Sequence, residues 1–269
     1  KRINEFLKEK SEIINNPKGL KKIIGKIEFA NVSFMYSESK IQALENLSFI
    51  INKKESLGLI GVTGSGKTTL LKLITRSFNL DSGKILIDGK NVNEFDIESL
   101  RKQIGIVPQD SFLFSDSIIN NIRFGKEKAS LKEVEQVCKI AGIHNEIIKF
   151  KDRYDTILGE RGVNLSGGQK QRICIARALI KKPKILILDD CLSALDTETE
   201  KKIIQSLKKY IINTTTIISS HRLSSVQNLN DIIILKEGKI IQKGNHEKLI
   251  NQKGYYKELY HKQLTKKDD

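Results

Sequence analysis

No stretch of the 269 residues strings together the roughly 18 apolar side chains that a membrane-spanning helix needs. The opening KRINEFLKEK is charged and amphipathic, with no apolar core of the kind a secretory signal carries. Lys1, not Met, stands first, so the chain is expected to be a piece of a longer one. Cysteine is scarce. Cys138, Cys174 and Cys191 share no CxxC spacing, which excludes a zinc or disulfide framework and suits reduced thiols in a cytosolic setting. No internal repeat and no low-complexity tract is present. What remains is 39% hydrophobic and 29% charged, a globular composition. The length suits one large domain or two small lobes. The net charge of +15 could mark nucleic acid or anionic lipid as a partner. The lysines are scattered, however, and not drawn into one stripe with aromatics, so a solvated surface is the simpler reading and no nucleic-acid partner is expected.

Along the chain the first 24 residues are polar, helical and then loop-like around Asn15-Asn16-Pro17. From Lys26 strands take over. Ile27, Phe29, Val32 and Phe34 mark one, and Leu47, Phe49 and Ile51 alternate with polar residues in another. Ser56–Ile60 is a short apolar strand, and further strands are expected at 84–88 and 103–107. From about 110 to 182 the pattern turns mostly helical, with a capping box at Ser130 and Glu133 and a helix from Gly167 that Pro183 ends. ILIL at 185–188 is a buried strand, and Thr197 and Glu200 are expected to cap the helix after it. Strands return at 214–219, 231–235 and 239–243. The pattern predicts a parallel α/β core interrupted by a helical insert.

Two motifs carry chemistry. Gly61, Val62, Thr63, Gly64, Ser65, Gly66, Lys67, Thr68 and Thr69 fit G-x-x-x-x-G-K-[ST], between an apolar strand and a helix. Backbone N–H groups of such a loop curl around phosphates, and the helix N-terminus adds positive potential. Lys67 can reach the β- and γ-phosphates, and the Thr68 hydroxyl can ligate Mg²⁺. Farther on, ILILDD delivers Asp189 to the carboxyl end of a buried strand, where ligands bind in parallel sheets. Such an Asp can hold the Mg²⁺ shell, through water. Alone it is a common pattern; beside a phosphate loop it is specific.

Between the two lies LSGGQ, formed by Leu165, Ser166, Gly167, Gly168 and Gln169. The order of phosphate loop, Gln109, LSGGQ, ILILDD, SALD at 193–196 and His221 resembles the nucleotide-binding domain of ABC transporters over residues 26–250. The resemblance implies a P-loop NTPase fold: a RecA-like parallel sheet core, an antiparallel β subdomain and a helical insert carrying the signature. It implies a linker over 1–24, the domain over 25–265 with its helical subdomain at about 110–182, and a polar tail at 266–269. It implies ATP and Mg²⁺ as ligands. Tyr36 would stack on adenine, although by itself it passes for any core or surface aromatic. Gln109 would reach Mg²⁺ and the attacking water. Leu165–Gln169 would close over the ATP of a second such domain, Asp196 would link the two sites, and His221 would contact the γ-phosphate. The segments VPQDSFLFSDSIINNI (107–122) and TILGERG (156–162) resemble exporters more than importers, with Ile157 standing where the family usually has Glu. An N-terminal transmembrane domain in the same chain, and a place on the cytosolic face of a membrane, are therefore expected.

A second position also departs from the family. The catalytic Glu expected after Asp189 is Asp190, shorter by one methylene, or about 1.5 Å of reach. The site is expected to bind ATP and hydrolyse it slowly. Asp here with an intact LSGGQ resembles the degenerate half of a heterodimeric exporter; a homodimer that tolerates Asp stays open. Two rivals also stay open: a non-transport ABC ATPase acting on nucleic acid, and a nucleotide-binding regulatory half with little turnover.

Overall fold

A computed structural model of the chain describes residues 13–265. Among the described residues ten strands and nine helices run in the order β1 (Ile27–Met35), β2 (Gln42–Ile51), β3 (Ser56–Ile60), α1 (Lys67–Ile74), β4 (Ser82–Ile87), β5 (Lys90–Asn91), α2 (Ile97–Lys102), β6 (Ile104–Val107), α3 (Ile118–Arg123), α4 (Leu131–Ile140), α5 (His144–Ile147), α6 (Gly167–Leu179), β7 (Ile185–Asp189), α7 (Thr197–Ile211), β8 (Thr215–Ser219), β9 (Asp231–Lys236), β10 (Lys239–Gly244), α8 (His246–Asn251) and α9 (Tyr255–Thr265). Among the described residues no helix is long and apolar enough to cross a membrane.

The strands form two sheets. An antiparallel one has the order β2-β1-β4-β5, and a larger one the order β10-β9-β3-β8-β7-β6. In the larger sheet β9, β3, β8, β7 and β6 are parallel, and β10 closes the edge antiparallel to β9. The sequences SLGLI, ILILD and TTIIS are buried at every position, as parallel strands covered on both faces must be. The period of two decides which face each side chain serves. Ile185 and Ile187 of β7 join a core with α1 and the antiparallel sheet. Leu186 and Leu188 of the same strand join a second core with α4, α6 and α7. The fold class read from the sequence is therefore observed: a parallel core, an antiparallel subdomain and a helical insert.

Within the insert, the capping box at Ser130 and Glu133 opens α4 as expected, burying Val134, Val137 and Cys138. The insert is less helical than its pattern suggests. Between α5 and α6 only two 3-10 turns occur, at Arg153–Asp155 and Glu160–Gly162. Thr156 and Leu158 instead hydrogen-bond back to the start of α3, through Ile118 N–H to Thr156 O (3.1 Å) and Leu158 N–H to Asp116 O (3.1 Å). The expected cap of α7 is corrected as well. Asp196 is the N-cap, accepting from the Thr199 N–H at 2.8 Å. Glu200 is buried and pairs with the Arg222 guanidinium (2.5 Å) and the Ser225 hydroxyl. A charge that far inside is tolerated because it is paired.

Of the lead-in read over 1–24, residues 1–12 lie outside the described residues, as does the tail at 266–269. Residues 13–26 are strapped to the body. Asn15 exchanges bonds with Asp96 (3.1 Å) and the Ile97 N–H (2.8 Å). Gln103 accepts from the Ile23 N–H and donates to Lys21 O. Asp88 accepts from the N–H groups of Ile24, Gly25 and Lys26. The three cysteines are free and buried.

Candidate functional site

The phosphate loop leaves β3 at Ile60 and enters α1 at Lys67. Two glycines allow it. A Cβ on Gly61 would lie 2.4 Å from Leu235 O, and one on Gly66, at φ +102°, would lie 2.5 Å from Ala43 O. Gly66 is also the N-cap of α1, and no side chain caps that helix. Its first N–H groups are thus left for a ligand. Lys67 is 7% exposed. Its ammonium donates to Gly61 O (2.6 Å) and Val62 O (3.0 Å). Burial pushes its pKa down, opposed by the charges of Asp190 and Asp189. Val62 points away from the loop's interior, 53% exposed, toward Ile241 and Tyr255.

Register brings the second motif beside the first. Asp189 ends β7 opposite Ser219 of β8, and β8 pairs with β3. Asp189 Oδ1, Ser65 Oγ and Ser219 Oγ are all buried without a hydrogen-bond partner. Unpaired buried polar atoms are costly and rare. Three of them around one loop fit a polar or cationic ligand, and the oxygen set is the chemistry that Mg²⁺ takes.

Asp190 follows at φ 44°. Its N–H donates to Ser219 O (3.0 Å), and its carbonyl accepts from the Ser193 hydroxyl (2.8 Å). Its Oδ2 lies 3.4 Å from His221 Nε2, with the carboxylate 8% and the imidazole 43% exposed. Burial raises the Asp190 pKa above the ordinary carboxylate value; His221 and Lys67 oppose the shift, and Asp189 adds to it.

These groups share one cavity of about 300 Å³, lined by Tyr36, Thr63 to Thr69, Gln109, Asp189, Asp190 and His221, all expected from the sequence. Tyr36 donates to or accepts from Thr69 Oγ1 at 2.8 Å and stands edge-on to Phe34 and Phe78. Ile41, Ala43 and Ser219 also line the cavity and were not singled out from the sequence. For Ser219 a signal existed: it closes an apolar strand at the carboxyl edge of the sheet.

Leu165–Gln169 and Asp196 do not enter this cavity. Ser166 caps α6 in a reciprocal box. Its hydroxyl accepts from the Gln169 N–H (3.2 Å), and Gln169 Oε1 accepts from the Ser166 N–H (2.9 Å). Gln169 Nε2 then donates to Glu146 Oε2 (3.0 Å), and the Arg172 guanidinium grips both oxygens of the same carboxylate, one bond to each. Leu165 is buried, and Gly168 packs against Leu195, where an added Cβ would sit 3.0 Å from Cδ2. Asp196 lies on the exposed face as the cap of α7, and bonding to Thr199 lowers its pKa.

A sequence profile described as ABC transporter matches residues 44–193. The chain is 48% identical over 243 residues to the uncharacterized ABC transporter ATP-binding protein YfiB of Bacillus subtilis, covering 90% of this chain and 42% of the relative. It is 47% identical over 260 residues to the multidrug resistance-like ATP-binding protein MdlA of Buchnera aphidicola, covering 96% and 45%. It is 47% identical over 241 residues to ATP-binding cassette sub-family B member 6 of Xenopus tropicalis, covering 90% and 28%. Among solved structures, a bacterial Atm1-family ABC exporter with ATP bound superposes with a TM-score of 0.92 at 36% identity, covering 97% of this chain and 46% of that one. The chain thus spans less than half the length of each of these relatives.

Proposed function

This chain belongs to the ABC transporter family, and from that premise we propose that it powers a membrane exporter by hydrolysing ATP as one half of a head-to-tail pair. Its class, an exporter-type ATP-binding domain with ATP hydrolysis as its activity, follows from the family and the relatives. The residue roles, the pairing and the membrane partner are the proposal. The observation that carries it is the shared cavity: a phosphate loop, two strand-end carboxylates, a loop Gln and a His, gathered from four separate stretches of chain.

In this reading Tyr36 offers its ring to adenine. The N–H groups of the loop and Lys67 hold the β- and γ-phosphates, for which Lys67 would exchange its bonds to Gly61 O and Val62 O. Thr68, Gln109 and, through water, Asp189 would hold Mg²⁺, which when bound draws charge off the phosphate oxygens. The unpaired Asp189 Oδ1 supports that assignment. Asp190 orients the attacking water and accepts its proton, with His221 at the γ-phosphate. The rest is positioning and electrostatics. Leu165–Gln169 serve the ATP of a second cassette, and Asp196 lies between the two sites. A transmembrane domain N-terminal in the same chain would place the cassette on the cytosolic side of its membrane. In this reading the bonds between 116–118 and 156–158 help couple the segment after Gln109 to the exporter-like loop. The names of these relatives, an ABC transporter ATP-binding protein and a multidrug resistance-like ATP-binding protein among them, lend the nucleic-acid alternative no support.

A second reading rests on Asp190. Its carboxylate is short and turned to His221 at 3.4 Å, which favours a slow site that depends on a competent partner. The test is Mg-ATP hydrolysis by this chain at high protein concentration, beside Asp190→Glu. Tight ATP binding with slow turnover, raised by about tenfold or more in Asp190→Glu, supports the degenerate half. Fast turnover that Asp190→Ala abolishes favours a homodimer. No hydrolysis by either protein would sink the catalytic reading.

A further inference from the structure

The imidazole of His221 is 43% exposed, so its own packing fixes it little, and its place depends on its backbone. One side of that backbone is held by its neighbour. The Arg222 guanidinium grips Leu195 O (3.0 Å), Ser193 O (3.2 Å) and Glu200 (2.5 Å), and the Arg222 N–H donates to Ser220 Oγ. The other side is held from the last helix. Gln263 of α9, 42 positions on, donates from Nε2 to His221 O at 2.7 Å and accepts at Oε1 from the Leu223 N–H at 2.9 Å. One side-chain amide thus closes both ends of the turn 221–223. Only a group with a donor and an acceptor side by side can do that, which Asn or Gln supplies and a carboxylate, ammonium or alkyl chain does not. The helix that carries Gln263 is anchored in turn. Tyr256 is fully buried, its hydroxyl is bonded to His246 Nδ1 (2.6 Å) and its N–H to Gln242 Oε1 (2.9 Å).

We infer that Gln263 is a positioning residue for His221 in ATP hydrolysis, so that α9, which none of the sequence motifs reaches, is part of the working site. The inference rests on the proposed contact of His221 with the γ-phosphate. Gln263 touches neither ATP nor the reacting atoms. It acts by keeping His221 Nε2 near Asp190 and the cavity, and a shift of about 1 Å there is enough to slow the chemistry.

The experiment is single-turnover ATP hydrolysis and equilibrium binding of a fluorescent ATP analogue by this chain, as Gln263→Met, His221→Ala and the double variant. The expected result is a rate about tenfold lower in Gln263→Met, with nucleotide affinity within about twofold of the parent and no further loss when Gln263→Met is added to His221→Ala. A general structural role would lower affinity and multiply the losses instead, and that outcome overturns the inference. So does a Gln263→Met rate equal to the parent's while His221→Ala abolishes turnover. An unchanged rate in His221→Ala removes the role of His221 itself and the inference with it. Should Gln263→Met lose its fold by circular dichroism, Gln263→Glu carries the test. It keeps the volume and the acceptor for Leu223 but has no N–H for His221 O, and the same rate loss at unchanged affinity is expected.

Discussion

Two glycine-rich turns open two helices in this molecule, and they are built in opposite ways. At α1 the N-cap is Gly66, no side chain caps the helix, and a buried Lys67 and two carboxylates crowd the same end. At α6 the N-cap is Ser166, the box with Gln169 is closed, and Glu146 and Arg172 brace it from behind. The first start is left chemically unfinished inside a walled cavity. The second is self-sufficient and looks outward. An uncapped helix start is a cost unless something binds there, whereas a capped one can be offered to another molecule without strain on its own fold. Under the proposed function one chain would carry a receiving half and a contributing half, as a head-to-tail pair requires.

The sharpest way to break this contrast is at Lys67. Lys67→Ala should lower ATP affinity by about a hundredfold or more, since it deletes the charged donor the proposed site offers to the β- and γ-phosphates. A fluorescence titration of the dilute chain reads this, and an affinity within a few-fold of the parent would mean that the α1 start is not the receiving half. Ser166→Ala comes next. It should cost about 1 kcal/mol of stability through the lost cap, measured by denaturant unfolding. It should leave ATP binding to the dilute chain untouched while flattening the rise of hydrolysis rate with protein concentration. A weaker ATP affinity in dilute Ser166→Ala would place α6 on the receiving side and undo the contrast.

The smallest effect concerns Asp190. Its pKa is raised, chiefly by burial, so the folded chain holds that proton more tightly than the unfolded one. The penalty is absent below the unfolded pKa, grows as pH climbs from there to the raised value and is complete above it. Asp190→Asn should accordingly raise the melting temperature at a pH above the raised value. That gain should fade as pH falls into the carboxylate range. Thermal scans at both ends check it; a loss at the higher pH would show that His221 and Lys67 outweigh burial, and a gain that persists at low pH would show that the carboxylate charge is not its cause.

Much of this was legible in the sequence, for a physical reason. The phosphate loop, Asp189 and LSGGQ are local patterns: a strand end and turn for the first two, and a turn opening a helix for LSGGQ. The buried strand β7 announced itself by the unbroken apolar run ILIL, and β3 by the short, mostly apolar segment SLGLI. What stayed hidden was set by partners far along the chain. Glu200 read as a helix-cap residue because Thr-x-x-Glu is a local pattern, yet its carboxylate is taken by Arg222 and Ser225, 22 and 25 positions away. Asp88 and Gln103 strap the segment before β1 across 62 to 82 positions. No periodicity or spacing reports such pairings, because each residue looks like an ordinary surface polar group until the fold delivers its partner.

The sealed cysteines have a use beyond packing. Cys138, Cys174 and Cys191 are at most 4% exposed, and burial lifts every one of their thiols, Cys138 to about 12. Thiolate is the reactive form, so maleimides and nitroxide reagents find almost none on the native chain. A single cysteine introduced at Val163, 71% exposed just ahead of the signature, would be the one site to take a spin label. The distance between two copies could then be read as they close, without first stripping the chain of its own sulfur.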